Sequence, residues 1–188
     1  MAKIQVADAL HNASDVAIQL NGARGYSKDT ILEWVYRYAR AARLTHCMRW
    51  LGFAKRCMEI AQDYVGQRMA FGQRLADREN VQVKLGEIAH QIEIGRLLTM
   101  RAAWKLDQGS RARKEVSMAK IQVADALHNA ADVAIQLNGA RGYSKDTILE
   151  WIYRYARAAR LVDGASEVHK MVLTRFMRQE GRDFWRWG

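Results

Sequence analysis

Apolar residues recur every three or four positions along most of the chain, which is the spacing of one face of an α-helix. This spacing predicts amphipathic helices over about 1–20, 27–44, 47–67 and 81–107, a helix pair over 118–161, and a last helix after Gly164. No region alternates convincingly with period two, so no sheet is expected. The sequence therefore predicts an all-α fold, an up-down antiparallel bundle of about six to seven helices.

Residues that break helices are rare in this chain. It contains no proline, and Gly52 is the only glycine between Ser27 and Gly66. Because no strong breaker separates the second and third predicted helices, the sequence permits one continuous helix over about 27–68. Such a helix would be about 60 Å long at 1.5 Å per residue.

A long internal repeat dominates the sequence. Residues 1–44, named copy one here, return at 118–161, named copy two, with only Ser14/Ala131 and Val35/Ile152 differing. Polar residues are copied as faithfully as apolar ones, whereas natural repeats keep mainly the positions that packing needs. We interpret the chain as rearranged or engineered, with a duplicated helix pair at 1–44 and a bundle over 45–188 that together form one structural unit.

Composition indicates a folded protein outside the membrane. The chain has 188 residues, 49% of them hydrophobic, which suffices for a sizeable core. No apolar run is long enough to span a membrane and the N-terminus lacks a signal-peptide pattern, so we expect a soluble, cytoplasmic protein. Cys47 and Cys57 lie about 15 Å apart on one predicted helix, too far to pair, and free thiols fit a reducing compartment.

The net charge of +10 raises the question of a nucleic-acid or acidic-membrane partner. Lys and Arg are interleaved with Asp and Glu along every helix, so we assign most of them to solvated faces and ion pairs. An electrostatic nucleic-acid binder is the last-ranked alternative, and no membrane partner is expected. The five histidines show no ligand spacing, so no metal site is predicted.

Three segments carry a resemblance to a known family. They are Arg68-Met-Ala-Phe71-Gly72 followed by Gln82, then Gln136-Leu-Asn-Gly139-Ala-Arg-Gly142-Tyr143-Ser144, and finally Val162-Asp163-Gly164-Ala165-Ser166-Glu167-Val168. In order and spacing, they make residues 46–181 resemble the C-terminal helical domain of acyl-CoA dehydrogenases. That family has an Arg-x-x-Phe-Gly loop with a later glutamine, a Gln-x-x-Gly-Gly-x-Gly-Tyr stretch and a Glu-Gly-Thr-Ser-Glu-Ile stretch.

The resemblance implies a flavin site shared between subunits. Arg68, Phe71, Gln136, Gly139 and Gly142 would contact FAD held mainly by a neighbouring subunit. A forked guanidinium suits a pyrophosphate, and glycines allow close backbone approach. The two glycines could equally be the stop and turn between two helices.

The resemblance also implies a base for proton removal next to a thioester carbonyl, a task that suits a carboxylate. Asp163 occupies the position of the family's glutamate. It is one methylene shorter, and Ala165 stands where the family has threonine. An Asp before a Gly is also typical of a turn.

Complete enzymes of this family carry an N-terminal helical domain and a middle β-domain before this region, and this sequence contains neither. We therefore expect a self-associating helical scaffold without a complete active site and without a cofactor of its own. It would be a homo-oligomer, with domain swapping as one route to it. The alternative is an FAD- or acyl-CoA-binding oxidoreductase remnant whose site is rebuilt in an oligomer.

Overall fold

The computed structural model describes residues 31–186, with side chains from residue 41 onward. The helix predicted over 1–20 and the N-cap predicted at Ser27 lie outside the described residues. Within them the α-helices are α1 (Ile31–Gln67), α2 (Glu79–Asp107), α3 (Arg113–Asn138), α4 (Ala140–Tyr143), α5 (Leu149–Ala159) and α6 (Ser166–Glu180). Short 3-10 turns occupy Leu75–Asp77 and Gly181–Trp185. The predicted all-α helical bundle is confirmed.

Helix α1 is one uninterrupted helix of 37 residues. The sequence permitted this fusion of the second and third predicted helices because no strong helix breaker lies between them. Gly52 is exposed, and a helix tolerates one glycine at a modest cost. The helix ends at Gln67, where the apolar spacing predicted its end. Despite its length, neither α1 nor any other helix in the described part of the chain is apolar enough to cross a membrane.

Helix α3 is the centre of the bundle and packs against α1, α2, α5 and α6. Its core face consists mainly of alanines with Val123 and Leu127, and these small residues let neighbouring helices approach closely. On α2, Gly95 faces this surface, where an added Cβ would lie 3.0 Å from the Val123 side chain. Trp50 of α1 and Leu149 of α5 close the core around α3.

A small ribbon between α1 and α2 corrects the expectation of no sheet. Strands β1 (Met69–Ala70) and β2 (Gln73–Arg74) pair antiparallel, with Met69 opposite Arg74. Phe71 and Gly72 at the turn both have positive φ, 52° and 81°, as tight two-residue hairpins require. Strands of two residues are too short to leave an alternating pattern in the sequence.

Both differences between the repeat copies fall at completely buried positions of copy two. Ala131 and Ile152 are 0% exposed in the core, where copy one has Ser14 and Val35. Replacing a buried isoleucine by valine typically costs about 0.5–1.5 kcal/mol. A hydroxyl in an apolar core costs about 1 kcal/mol or more unless it finds a partner. Copy two is therefore the better core-forming version of the pair, and it occupies the centre of the bundle.

Candidate functional site

The predicted site residues lie at opposite ends of the bundle. Asp163 pairs with His46, where α1 enters the bundle, and Arg68 follows His46 by 22 residues along that helix. At 1.5 Å per residue, the two ends are about 33 Å apart. Helix α3 runs parallel to α1, since Leu44 packs with Val116 at one end and the Arg141 guanidinium lies over the Tyr64 ring at the other, and it brings Gln136, Gly139 and Gly142 toward the Arg68 end. The predicted cofactor residues therefore lie at one end of the bundle and the predicted base at the other.

The Asp163 end is a buried polar cluster built from four elements. The Asp163 carboxylate accepts a hydrogen bond from Nδ1 of His46 on α1, and the Asp163 side chain is almost fully enclosed. Lys120 on α3 donates from Nζ to the Gly164 carbonyl at 2.7 Å. On α6, His169 Nε2 lies 3.1 Å from the Asp163 carbonyl oxygen. These contacts fix the α5–α6 turn through both its side chain and its backbone.

His169 is oriented by a second contact. Its Nδ1 lies 3.0 Å from the Ser117 hydroxyl, which can donate, while Nε2–H donates to the Asp163 carbonyl. This arrangement uses one neutral tautomer of the imidazole and satisfies both ring nitrogens.

The backbone at Asp163 explains why an Asp-Gly pair stands there. Asp163 has φ 58° and Gly164 has φ 91°, the left-handed region that Asp tolerates better than most residues and that glycine adopts freely. An added Cβ at Gly164 would also lie 3.2 Å from His169 Nε2. The turn reading of Asp163 thus has a structural basis independent of any catalytic role.

Burial dominates the electrostatics of this cluster. Lys120 is completely enclosed, and desolvation lowers its pKa to about 8, although the nearby Asp163 carboxylate partly opposes the shift. Burial raises the pKa of the adjacent Cys47 thiol to about 12, so this thiol is neutral at physiological pH. The Asp163 carboxylate and the Lys120 ammonium are therefore the charges that face each other here. His46 links α1 to the turn through its hydrogen bond with Asp163.

Sequence reasoning missed His46, Lys120 and His169 as members of one cluster. Two of them left a signal in the sequence. The apolar stripe of α3 runs through Val116, Val123 and Leu127, and Lys120 falls on it with the same spacing, so a lysine stood at a core position. His46 occupies the position in copy one that Asp163 occupies in copy two, since both come two residues after the repeated blocks end.

The Arg68 end is open to solvent. Phe71 is 96% exposed although it is held at positive φ, and the Arg78 guanidinium lies 5.4 Å from its ring centre. Arg68 is exposed and forms no ion pair with any described residue. A strained backbone that presents a large aromatic ring to solvent is typical of a contact surface.

The glycines of this end differ in what they do. An added Cβ at Gly142 would lie 2.9 Å from the Ile135 carbonyl oxygen, so packing against α3 alone accounts for a glycine there. Gly139 has φ 59° and open space around its missing side chain. Arg68, Phe71, Gln136 and Gly139 could therefore hold a flavin nucleotide, with a guanidinium for phosphate, a ring for stacking and an approachable backbone.

Each end also has a cavity. One of about 590 Å³ lies between α1 and the α3–α5 connection, and its lining includes Tyr64, Asn138 and Arg141. Asn138 donates to the Ala134 carbonyl, but its buried Oδ1 has no hydrogen-bond partner among the described residues. The other cavity, about 770 Å³, adjoins the Asp163 end and is lined by aromatic, charged and small apolar residues. Its lining includes Trp50, Phe53, Trp151, Tyr155 and Val162.

Comparison with known proteins gives the family. The family profile described as "Acyl-CoA dehydrogenase, C-terminal domain" matches residues 1–45 and 41–178, so it covers both repeat copies. The chain belongs to the acyl-CoA dehydrogenase family. It is 39% identical over 140 residues to acyl-CoA dehydrogenase family member 11 of Rattus norvegicus, across 73% of this chain and 18% of that protein.

Further relatives agree with this assignment. The (R)-benzylsuccinyl-CoA dehydrogenase of Thauera aromatica is 36% identical over 140 residues, 74% of this chain and 34% of that protein. The structure of butyryl-CoA dehydrogenase from Megasphaera elsdenii superimposes with a TM-score of 0.73 and 26% identity, over 77% of this chain and 38% of that one. The chain thus spans about a third or less of the acyl-CoA dehydrogenases it matches in sequence. The fold and family that its motifs predicted are confirmed.

Proposed function

We propose that this chain is a self-associating helical scaffold with the fold of an acyl-CoA dehydrogenase C-terminal domain and no complete active site within one chain. The separation of about 33 Å between Asp163 and Arg68 carries this proposal. Within one chain, a base and a cofactor surface that far apart cannot act on the same small substrate. The Asp163 carboxylate is also enclosed and engaged by His46.

Exposed apolar surface supports self-association. Leu97, Met100 and Trp104 share one face of α2, and each leaves more than half of its surface in solvent. Such a stripe is typical of a surface that a partner covers. A second copy of this chain is the proposed partner, since a two-fold contact would cover the stripe on both chains.

The second candidate is an oxidoreductase remnant that binds FAD or acyl-CoA in an oligomer. The observation that favours it is the open backbone at Gly139 beside the exposed Phe71 ring, together with an apolar cavity next to Asp163. Each chain would then offer a cofactor surface at one end and a base at the other. A partner chain would have to bring the two kinds of end together.

Size-exclusion chromatography with light scattering and absorbance on the same peak tests both candidates. A colourless dimer or larger oligomer supports the scaffold. A colourless monomer contradicts self-association. Flavin absorbance in stoichiometric amount favours the second candidate, and Arg68→Ala should then reduce it while Arg74→Ala, a change at a nearby exposed arginine, should not.

A further inference from the structure

The cavity beside the Asp163 end has features of a ligand site that a scaffold does not need. Its volume of about 770 Å³ lies within the usual range of small-molecule sites, about 300–1,000 Å³. Residues of α1 line one side of it and residues of α5 line the other, and Val162 lines it next to Asp163. Both helices pack against α3, so the core of the bundle holds the two sides in place.

Three aromatic rings of this cavity pack against one another in a defined arrangement. The rings of Trp151 and Tyr155 are stacked, with their centres 5.2 Å apart and their planes 6° apart. Phe53 meets both of them edge-on, at 5.6 and 5.4 Å between ring centres. Trp151 is nevertheless 49% exposed, so a further flat ring can stack on its indole.

The charged residues of the cavity are mainly cationic. Arg49, Lys145 and Arg154 line it together with a single carboxylate, that of Glu150. Glu150 pairs with Arg154 at 3.5 Å, whereas neither Arg49 nor Lys145 forms an ion pair with any described residue. The cavity therefore has two positive charges without a counter-ion, and such an excess favours an anionic ligand.

A hydroxyl group in the cavity can add a hydrogen bond to such an anion. Trp50 donates from Nε1 to the hydroxyl oxygen of Tyr155 at 3.3 Å. The hydroxyl hydrogen of Tyr155 has no acceptor among the described residues, and Tyr155 lines the cavity. This hydrogen can therefore be donated to a carboxylate that the two cations attract.

We propose that this cavity binds a planar aromatic carboxylate, with its rings stacked on Trp151 and its carboxylate held by Arg49 and the Tyr155 hydroxyl. A cavity of this volume has room for two fused rings. The cationic residues disfavour an organic cation of the same shape. A flexible alkyl chain is disfavoured because it cannot stack and loses more conformational entropy when it is bound.

Calorimetric titration of the full chain with 2-naphthoate tests the site. Wild type should bind 2-naphthoate at least about tenfold more tightly than it binds either of two related compounds. One is 2-naphthylmethylammonium, which has the same rings and the opposite charge, and the other is cyclohexanecarboxylate, which has the same charge and no aromatic ring. No binding of 2-naphthoate, or equal binding of either related compound, would overturn the proposal.

Two substitutions with matched controls show where 2-naphthoate binds. Trp151→Ala should weaken binding by about tenfold, whereas Trp185→Ala, at another exposed tryptophan, should leave it unchanged. Arg49→Gln should weaken binding by about tenfold, and Arg101→Gln, at an exposed arginine of α2, should not. All four side chains are exposed, so the thermal midpoint of each variant should match that of wild type. Equal effects of a substitution and its control would place the bound 2-naphthoate elsewhere and overturn the proposal.

This site goes beyond the proposed scaffold function and stands whether or not the chain self-associates. Light scattering on the same samples measures the oligomeric state separately. A monomer that binds 2-naphthoate with the expected preferences would contradict self-association and support the site. An oligomer that does not bind 2-naphthoate would overturn the site and leave self-association standing.

Discussion

The substitution Lys120→Met tests whether Lys120, a residue of copy two, is buried at the centre of the bundle. Lys120 is fully enclosed on α3, and burial lowers its pKa to about 8 from an ordinary value of 10.5. In the unfolded chain this lysine keeps its proton to higher pH than it does in the folded protein. Between the two pKa values the unfolded state binds more protons, so the free energy of unfolding rises with pH.

The size of this effect on the free energy of unfolding follows from the two pKa values of Lys120, one in the unfolded chain and one in the folded protein. This contribution to stability is present above about pH 10.5 and is lost as the pH falls through about 8. From about pH 7 to about pH 9, it amounts to roughly 1 kcal/mol. Cys47 and Cys57 act in the opposite direction above their ordinary pKa of 9.0, because burial raises the folded value of each to about 12. Lys120 lowers the pKa of Cys47, so removing Lys120 can only raise that pKa further, and both thiols stay protonated in either folded protein up to about pH 9. Their effect therefore cancels in the difference.

Urea unfolding of wild type and Lys120→Met at both pH values measures this difference. The stability of wild type relative to the variant should increase by roughly 1 kcal/mol between about pH 7 and about pH 9. Lys3→Met is the matched control, since Lys3 is the same residue in copy one, and it should follow wild type. If the free energies of unfolding of wild type and Lys120→Met changed equally with pH, the burial of Lys120 in the core would be refuted.

Three further predictions test the packing. Leu127→Ala should lower the free energy of unfolding by about 2–5 kcal/mol, and Leu10→Ala, at the same position of copy one, should lower it less; equal losses in denaturant unfolding would contradict the placement of copy two in the core. His46→Leu should cost about 1–3 kcal/mol because it removes the hydrogen bond that the buried Asp163 carboxylate accepts from His46, and adding Asp163→Asn should recover part of that loss; additive losses in this double-mutant cycle would argue against the pair. Gly142→Ala should cost about 1–3 kcal/mol in the same assay, and a neutral result would show that the backbone contact beside it can relax.

Much of the fold could be predicted because it depends on local patterns. Apolar spacing located α2 and α3, and the stops at Gln67 and Asp107 fall where the spacing ends and turn residues begin. The fusion of two predicted helices into α1 followed from the absence of a breaker. The ribbon around Phe71 was missed because two-residue strands show no periodicity.

The site was only partly predictable, for a different reason. The pair of His46 and Asp163 joins residues 117 positions apart, and only the packing of α1 against the α5–α6 turn brings them together. Motifs selected Gly139 and Gly142 as equals, but only the structure separates the packing requirement at Gly142 from the open space at Gly139. Sequence spacing likewise could not show that the two groups of site residues lie at opposite ends.

The most direct test of the account is hydrogen exchange followed by mass spectrometry at several protein concentrations. Peptides that include either differing position can be told apart, since Ser14 and Ala131 differ by one oxygen atom and Val35 and Ile152 by one methylene. Copy two should be protected to the global stability of the bundle at every concentration, and it should be protected more strongly than copy one. Equal protection of both copies would contradict the assignment of copy two, and not copy one, to the core.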